Sequence, residues 1–156
     1  MAEQVLVGAM KRQFGCVHKM LREAIGKFSP EEWRQAGHDF FVPARLAFHV
    51  IQATDYHLDA DGKAYRWDRF GFDWEQAGAS ALPGQQEVLA YLDEVEAKVN
   101  RRLDELGDAG LVASDYAGFF PTGLDHVVYT IRHVQHHTGQ INAELKRRGL
   151  SSARWR

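Results

Sequence analysis

The feature of this chain that most narrows its fold is a spacing. From Val7 through Met10, Phe14, Val17, Leu21, Ile25 and Phe28, apolar residues recur at every third or fourth position. Steps of three and four put side chains on one face of an α-helix. The same rhythm returns after Pro43, in Leu46, Ala47, Val50, Ile51, Ala53, Thr54 and Leu58, and predicts a second helix to about Ala60. A third helix follows Pro83 with Val88, Leu92, Val95, Val99, Leu103 and Leu106, and is expected to end at Gly107. The fourth runs from about Pro121 to Arg148, with Val127, Ile131, Val134, Ile141 and Leu145 in its stripe and Gly149 just past its end. No segment alternates with a period of two, and no Asn-Gly or Asp-Gly pair sits between two strand-like runs. Four long amphipathic helices in 156 residues predict an all-α four-helix bundle, with the whole chain, 1–156, as one domain.

Two connections carry information of their own. Ser29-Pro30-Glu31-Glu32 combines an N-cap serine, a proline at the first helical position and a capping-box glutamate. It predicts a short extra helix through Trp33 that stops near Gly37. Between the second and third long helices, Lys63 to Gly84 loses all periodicity while Trp67, Phe70, Phe72 and Trp74 crowd together. A long loop so rich in aromatics is expected to be ordered, either as a packed cover over the bundle's end or as a wall or lid facing a substrate.

Composition removes several functions. Lys and Arg total 19 against 21 for Asp and Glu, a formal charge of −2, which leaves no electrostatic footprint for nucleic acid. The basic residues that gather near the end, Lys146, Arg147, Arg148, Arg154 and Arg156, read as a helix C-terminus complementing its macrodipole, or else as a ligand-binding patch. Cys16 is the single cysteine, so no internal disulfide forms, and its place in an apolar stripe reads as a small core hydrophobe. No charged-then-apolar leader and no membrane-spanning stretch is present, so the expected compartment is the cytoplasm, without membrane attachment. A chain of this length buries about two thirds of its unfolded surface in one core. A metal is not needed to hold such a fold together, and any metal has a functional reading.

The eight histidines raise that question. His133 and His137 lie one helical turn apart on the fourth helix, so their imidazoles project from one face. At roughly 100° per residue both fall on the shoulder of the apolar arc, while His136 points away from it. His49 occupies the matching shoulder of the second helix, whose outer side carries Arg45, Gln52 and Asp59. The three shoulders can converge in a crevice between helices. His57 lies two turns beyond His49, roughly 12 Å along the axis, too far to share one ion with it. His18, His38 and His126 have no such partners and read as surface or capping groups. Three neutral imidazoles without a thiolate suit a divalent ion such as Zn²⁺, Ni²⁺ or Fe²⁺ and leave coordination positions open, which is the pattern of catalytic rather than structural sites.

At these residues the chain resembles the DinB-like superfamily, which includes the YfiT-type metal-dependent enzymes. The resemblance rests on Ala44-Arg45-Leu46-Ala47-Phe48-His49, on Arg132-His133 through His137-Thr138-Gly139-Gln140-Ile141, on Leu145-Lys146-Arg147-Arg148-Gly149 and on Ser29-Pro30-Glu31-Glu32. It implies a four-helix bundle, commonly a homodimer, in which His49, His133 and His137 hold one Zn²⁺ or Ni²⁺. It also implies a metal-dependent thiol S-transferase or hydrolase that joins a low-molecular-weight thiol, or water, to a small electrophilic substrate. A general base is not singled out; His57, Tyr129 and Glu144 are candidates, and Glu144 projects near His137 as a hydrogen-bond partner. Two other readings stay open: a non-catalytic metal-binding or stress-related dimeric module, and a bundle whose histidines bind no metal.

Overall fold

The computed structural model describes residues 4–38, 41–114, 116 and 119–156. Among the described residues it is helical, without strands: α1 Val5–Ile25, α2 Pro30–Arg34, α3 Pro43–His57, α4 Gln85–Val112 and α5 Gly123–Arg147, with a 3₁₀ turn at Ala79–Ala81. The four long helices form the bundle. α1 and α3 each pack on both α4 and α5 but scarcely touch one another, so they sit diagonally across the core. That core is the set of stripes read from the sequence: Phe14, Leu21 and Ile25 of α1, Val50 and Ile51 of α3, Val95, Val99 and Leu103 of α4, and Val134, Ile141 and Leu145 of α5 are all buried. No helix of the described residues is long and apolar enough to cross a membrane.

Local signals account for the boundaries. The Ser29 hydroxyl accepts from Glu32 N at 3.2 Å and the Glu32 carboxylate accepts from Ser29 N at 2.8 Å, which closes the capping box at α2. Thr122 caps α5 by accepting from Asp125 N. α4 is interrupted at Gly107, where φ of +62° suits glycine, but a further helical stretch continues to Val112 instead of stopping there. The reason is visible on the next residue: Asp108 accepts from Val7 N at 2.9 Å and Leu6 N at 3.1 Å, capping α1, which has no side-chain cap of its own. The second helix is shorter than expected and ends at His57. Of the basic cluster, Arg148 is structural. It donates to Glu144 Oε1 at 2.7 Å and to the carbonyls of Glu32 and Gln35, tying α5 to α2.

Two sequence expectations about burial are corrected. Cys16 is only partly buried. His18, expected at the surface or in a cap, is 1 % exposed in the core beside Phe14, and neither ring nitrogen has a hydrogen-bond partner among the described residues. It lies about 60° from the centre of the α1 stripe by the 3.6-residue period, on the shoulder one turn beyond Phe14, so position rather than polarity decides its burial.

The loop after α3 is seated by a buried carboxylate. Asp55, with its side chain 2 % exposed, accepts from Tyr65 Oη at 2.8 Å, Tyr91 Oη at 2.7 Å and Lys98 Nζ at 2.7 Å, with Arg69 at 3.3 Å. Arg45 donates to the carbonyls of Trp74, Glu75 and Ala77, and Gln52 to that of Trp67. The outer side of α3 is therefore covered by the aromatic loop, not by water.

Asp55→Ala is expected to destabilise the chain by about 3 kcal/mol, the lower end for a broken buried pair, because Lys98 keeps Asp59 and some solvent. Trypsin should then cut faster at Lys63, Arg66 or Arg69; a stability loss without faster cleavage would mean that Asp55 does not seat the loop. His18 gives a pH test. Burial, with a smaller contribution from the Arg22 charge, lowers its pKa from 6.5 to about 4. Between those values the unfolded chain binds the extra proton, so stability held above pH 6.5 is lost as pH falls towards 4. The gain from His18→Leu in urea unfolding should be about 2 kcal/mol larger at pH 5 than at pH 7.5. Equal gains at both values would show that His18 is not buried neutral.

Candidate metal centre

Because α3 packs on α5, the shoulder of one meets the shoulder of the other. His49 comes from α3, His133 and His137 from successive turns of α5, and one ring nitrogen from each lies within 4.8 Å of the others. Ring centroids are 5.2 Å apart for His49–His133, 5.1 Å for His49–His137 and 4.5 Å for His133–His137. The three planes are close to mutually perpendicular, at 74°, 84° and 78°. All three rings are half-buried, and His136 turns outwards and is exposed, as its direction on the helix requires.

The donor chemistry fits a cation. His137 Nδ1–H donates to Gln140 Oε1 at 2.6 Å, which leaves Nε2 as a lone pair. That nitrogen faces His133 Nε2 at 3.1 Å, close to the separation of about 3.3 Å between two imidazole nitrogens on one tetrahedral Zn²⁺ at 2.0–2.1 Å. His133 Nδ1 is buried and has no partner among the described residues. Burial, reinforced by the neighbouring histidines, lowers the pKa of His49 and of His133 to about 4. Burial also lowers that of His137, against the opposing hydrogen bond to Gln140. Neutral pH therefore finds three imidazoles uncharged, the state in which they ligate metals. Three histidines so placed can hold a divalent ion.

Trp74 of the aromatic loop lies over His49, ring centroids 4.5 Å apart at 34°, so the loop contributes one wall of the site. Phe70 and Phe72 instead pack on Phe48, as a cover would. The loop is thus a packed cover at Phe70 and Phe72, while Trp74 borders the histidines. Gln140 orients His137, and its position three residues further along the same helix face was the available signal.

His126, expected at the surface or in a cap, is half-buried and joined to His57: His57 Nδ1 and His126 Nε2 are 2.9 Å apart, and Tyr116 Oη lies 3.0 Å from His126 Nδ1. Phe120 stacks on the His126 ring at 4.3 Å. Its spacing of seven from His133, two helical turns, puts both on one side of α5 and was the signal to read. Burial lowers the pKa of both His57 and His126, the latter to about 4 with a contribution from His57.

Of the three candidates for a general base, two stand beside the triad. The His57 ring centroid is 6.5 Å from that of His133, and Tyr129 meets His57 edge to face and lies parallel to His133. Glu144 is a correction. Its buried carboxylate is held by Arg148 and Arg147 on the α2 side, and His137 has Gln140 as its partner instead. It faces Gly37 so closely that a Cβ there would fall 1.8 Å from Glu144 Oε1.

No family model matches the sequence, and no curated protein matches it. Its fold, however, is similar to the crystal structure of a DinB-like protein from Bacillus cereus, with a TM-score of 0.70 over 94 % of this chain and 95 % of that one. At 14 % identity the likeness is one of architecture, and it establishes that this chain has the DinB-like all-α fold.

Proposed function

We propose that the protein binds one divalent metal ion, Zn²⁺ or Ni²⁺, through His49, His133 and His137 and uses it as a thiol S-transferase or hydrolase on a small electrophilic substrate. The observation that carries this reading is the triad itself: three neutral imidazoles from two helices, with one ring nitrogen of each converging on one point. A divalent ion bound there lowers the pKa of a coordinated thiol or water and makes it a nucleophile near neutral pH. The chain's own residues do the rest. Gln140 holds the His137 tautomer, Trp74 shields the His49 side from solvent, and His57, backed by His126, is placed to hold a proton beside the triad. The Tyr129 ring forms the neighbouring wall.

One observation favours the other reading, a metal-binding module without catalysis. A cavity of about 500 Å³ in the bundle lies on the Phe48 side of α3 and none of the three histidines lines it.

Protein prepared without a histidine tag should contain about one equivalent of Zn or Ni by elemental analysis. His49→Ala and His137→Ala should each lose it; equal metal in all three proteins would sink the site. Gln140→Leu should keep the fold and weaken metal affinity about 10- to 100-fold, as loss of an outer hydrogen bond does. Conjugation of a low-molecular-weight thiol to a panel of electrophiles should stop on chelation and return with metal. Conjugation indifferent to chelation rejects the mechanism, and stoichiometric metal without any conjugation or hydrolysis supports the non-catalytic module.

A further inference from the structure

The cavity of about 500 Å³ has a chemistry of its own. Its size is that of a site for a small organic molecule. Its walls include Phe48, Phe70, Phe72 and Tyr91, together with the buried Leu82 and Val88. Phe48 meets the other three rings, 5.2 Å from Phe70, 4.9 Å from Phe72 and 5.7 Å from Tyr91, and Phe70 lies 4.5 Å from Tyr91. Two of them are held from behind. Arg69 stacks on Phe70 at 4.6 Å and on Tyr91 at 5.0 Å, and the Tyr91 hydroxyl is already donated to Asp55. Tyr91 therefore offers the cavity a ring without a free polar handle.

Two charged side chains, Arg34 and Glu87, stand at the rim around Gly84: a Cβ there would lie 3.4 Å from Glu87 Oε2 and 3.8 Å from Arg34 Nη2. They are not equivalent. Glu87 accepts from Gly84 N at 2.7 Å and serves as the cap of α4. Arg34 is anchored through Nε, which donates to Leu82 O at 3.0 Å, and no carboxylate among the described residues pairs with it. An arginine fixed at Nε presents its Nη donors as a planar fork, the geometry that accepts a carboxylate.

We propose that this cavity is a binding site for a flat aromatic carboxylate, with the ring among Phe48, Phe70, Phe72 and Tyr91 and the carboxylate on Arg34. The site is separate from the histidine triad and does not depend on metal. It shares with the triad only α3, through the adjacent Phe48 and His49, and the loop, through Phe72 and Trp74.

The test is a titration of the full chain followed by amide NMR, with 2-naphthoate, neutral 2-naphthalenemethanol and cationic 2-naphthylmethylammonium as probes. Naphthoate should give saturable shifts at Leu82 and Val88 and bind at least about tenfold more tightly than the alcohol, the scale of one charge-assisted hydrogen bond, with the ammonium weakest. In Arg34→Met the acid and the alcohol should bind within about twofold of each other. Ala81→Trp and Ser80→Trp, two exposed rim positions, should each block all three probes while leaving the amide spectrum folded. Absence of saturable shifts, an alcohol or ammonium that binds as tightly as naphthoate, or naphthoate binding that survives both folded tryptophan variants would overturn the proposal.

Discussion

Much of what surrounds the candidate site hangs on the carboxylate of Asp55. It is buried, and it joins three segments that are distant in sequence: α3, which carries it; α4, through Tyr91 and Lys98; and the aromatic loop, through Tyr65 and Arg69. A buried ion pair of this kind adds little net stability over an apolar replacement of equal volume, but breaking it from one side is costly. Its main consequence here is positional. Arg69, held by Asp55 and Glu94, is the residue that stacks on Phe70 and Tyr91. Arg45, ten residues before Asp55 on the same helix, clasps the loop at Trp74, Glu75 and Ala77. The loop has no regular hydrogen bonding beyond isolated turns, and these polar side chains of α3 replace it. Trp74 over His49 and Phe70 over Phe48 both follow from that clasp.

This explains where reading the sequence succeeds and where it stops. Periodicity reports which face of a helix is apolar, so the four long helices and most of their core residues were legible, as was the α2 capping box. The outer side of α3 was not. Arg45 and Gln52 read as solvent-facing because they are polar, yet Gln52 is 2 % exposed, since what covers them is a loop without any period. Polar residues that bond to carbonyls of an irregular segment leave no pattern along the chain. His18 fails in the opposite direction: it occupies a core position with a polar side chain, and residue type misleads where spacing would have served. Gly107 reads as a break and is one, but beyond it the helix resumes where Asp108 reaches the start of α1, a contact across about a hundred residues.

The histidines show the same division within one pair of helices. His133 and His137 were legible as a pair from their four-residue spacing, and His49 from its place on a shoulder. The second cluster, His57 with His126, uses the same two helices one layer further along, and needed the joint recognition that His57 is two turns from His49 while His126 is two turns from His133. Since α3 and α5 run side by side, two equal steps along both of them bring a second facing pair together.

The two layers differ in what they still require. In the His57–His126 layer each imidazole has a partner: one ring nitrogen meets another at 2.9 Å, and the outer nitrogen of His126 meets the Tyr116 hydroxyl. Such a pair is self-contained, because one ring donates where the other accepts. In the triad the count does not close. Among the described residues the outer partner is Gln140 on His137, and the His133 nitrogen left buried without one is in this layer. A buried polar atom without a partner costs about 1–3 kcal/mol, and three neutral imidazoles cannot all donate to each other around a single point. A cation removes the second difficulty, since it would accept a lone pair from every ring and let the opposite nitrogens carry the protons. The same accounting keeps the second layer out of the ligand set: to bind an ion, His57 and His126 would have to break the hydrogen bond that already satisfies them.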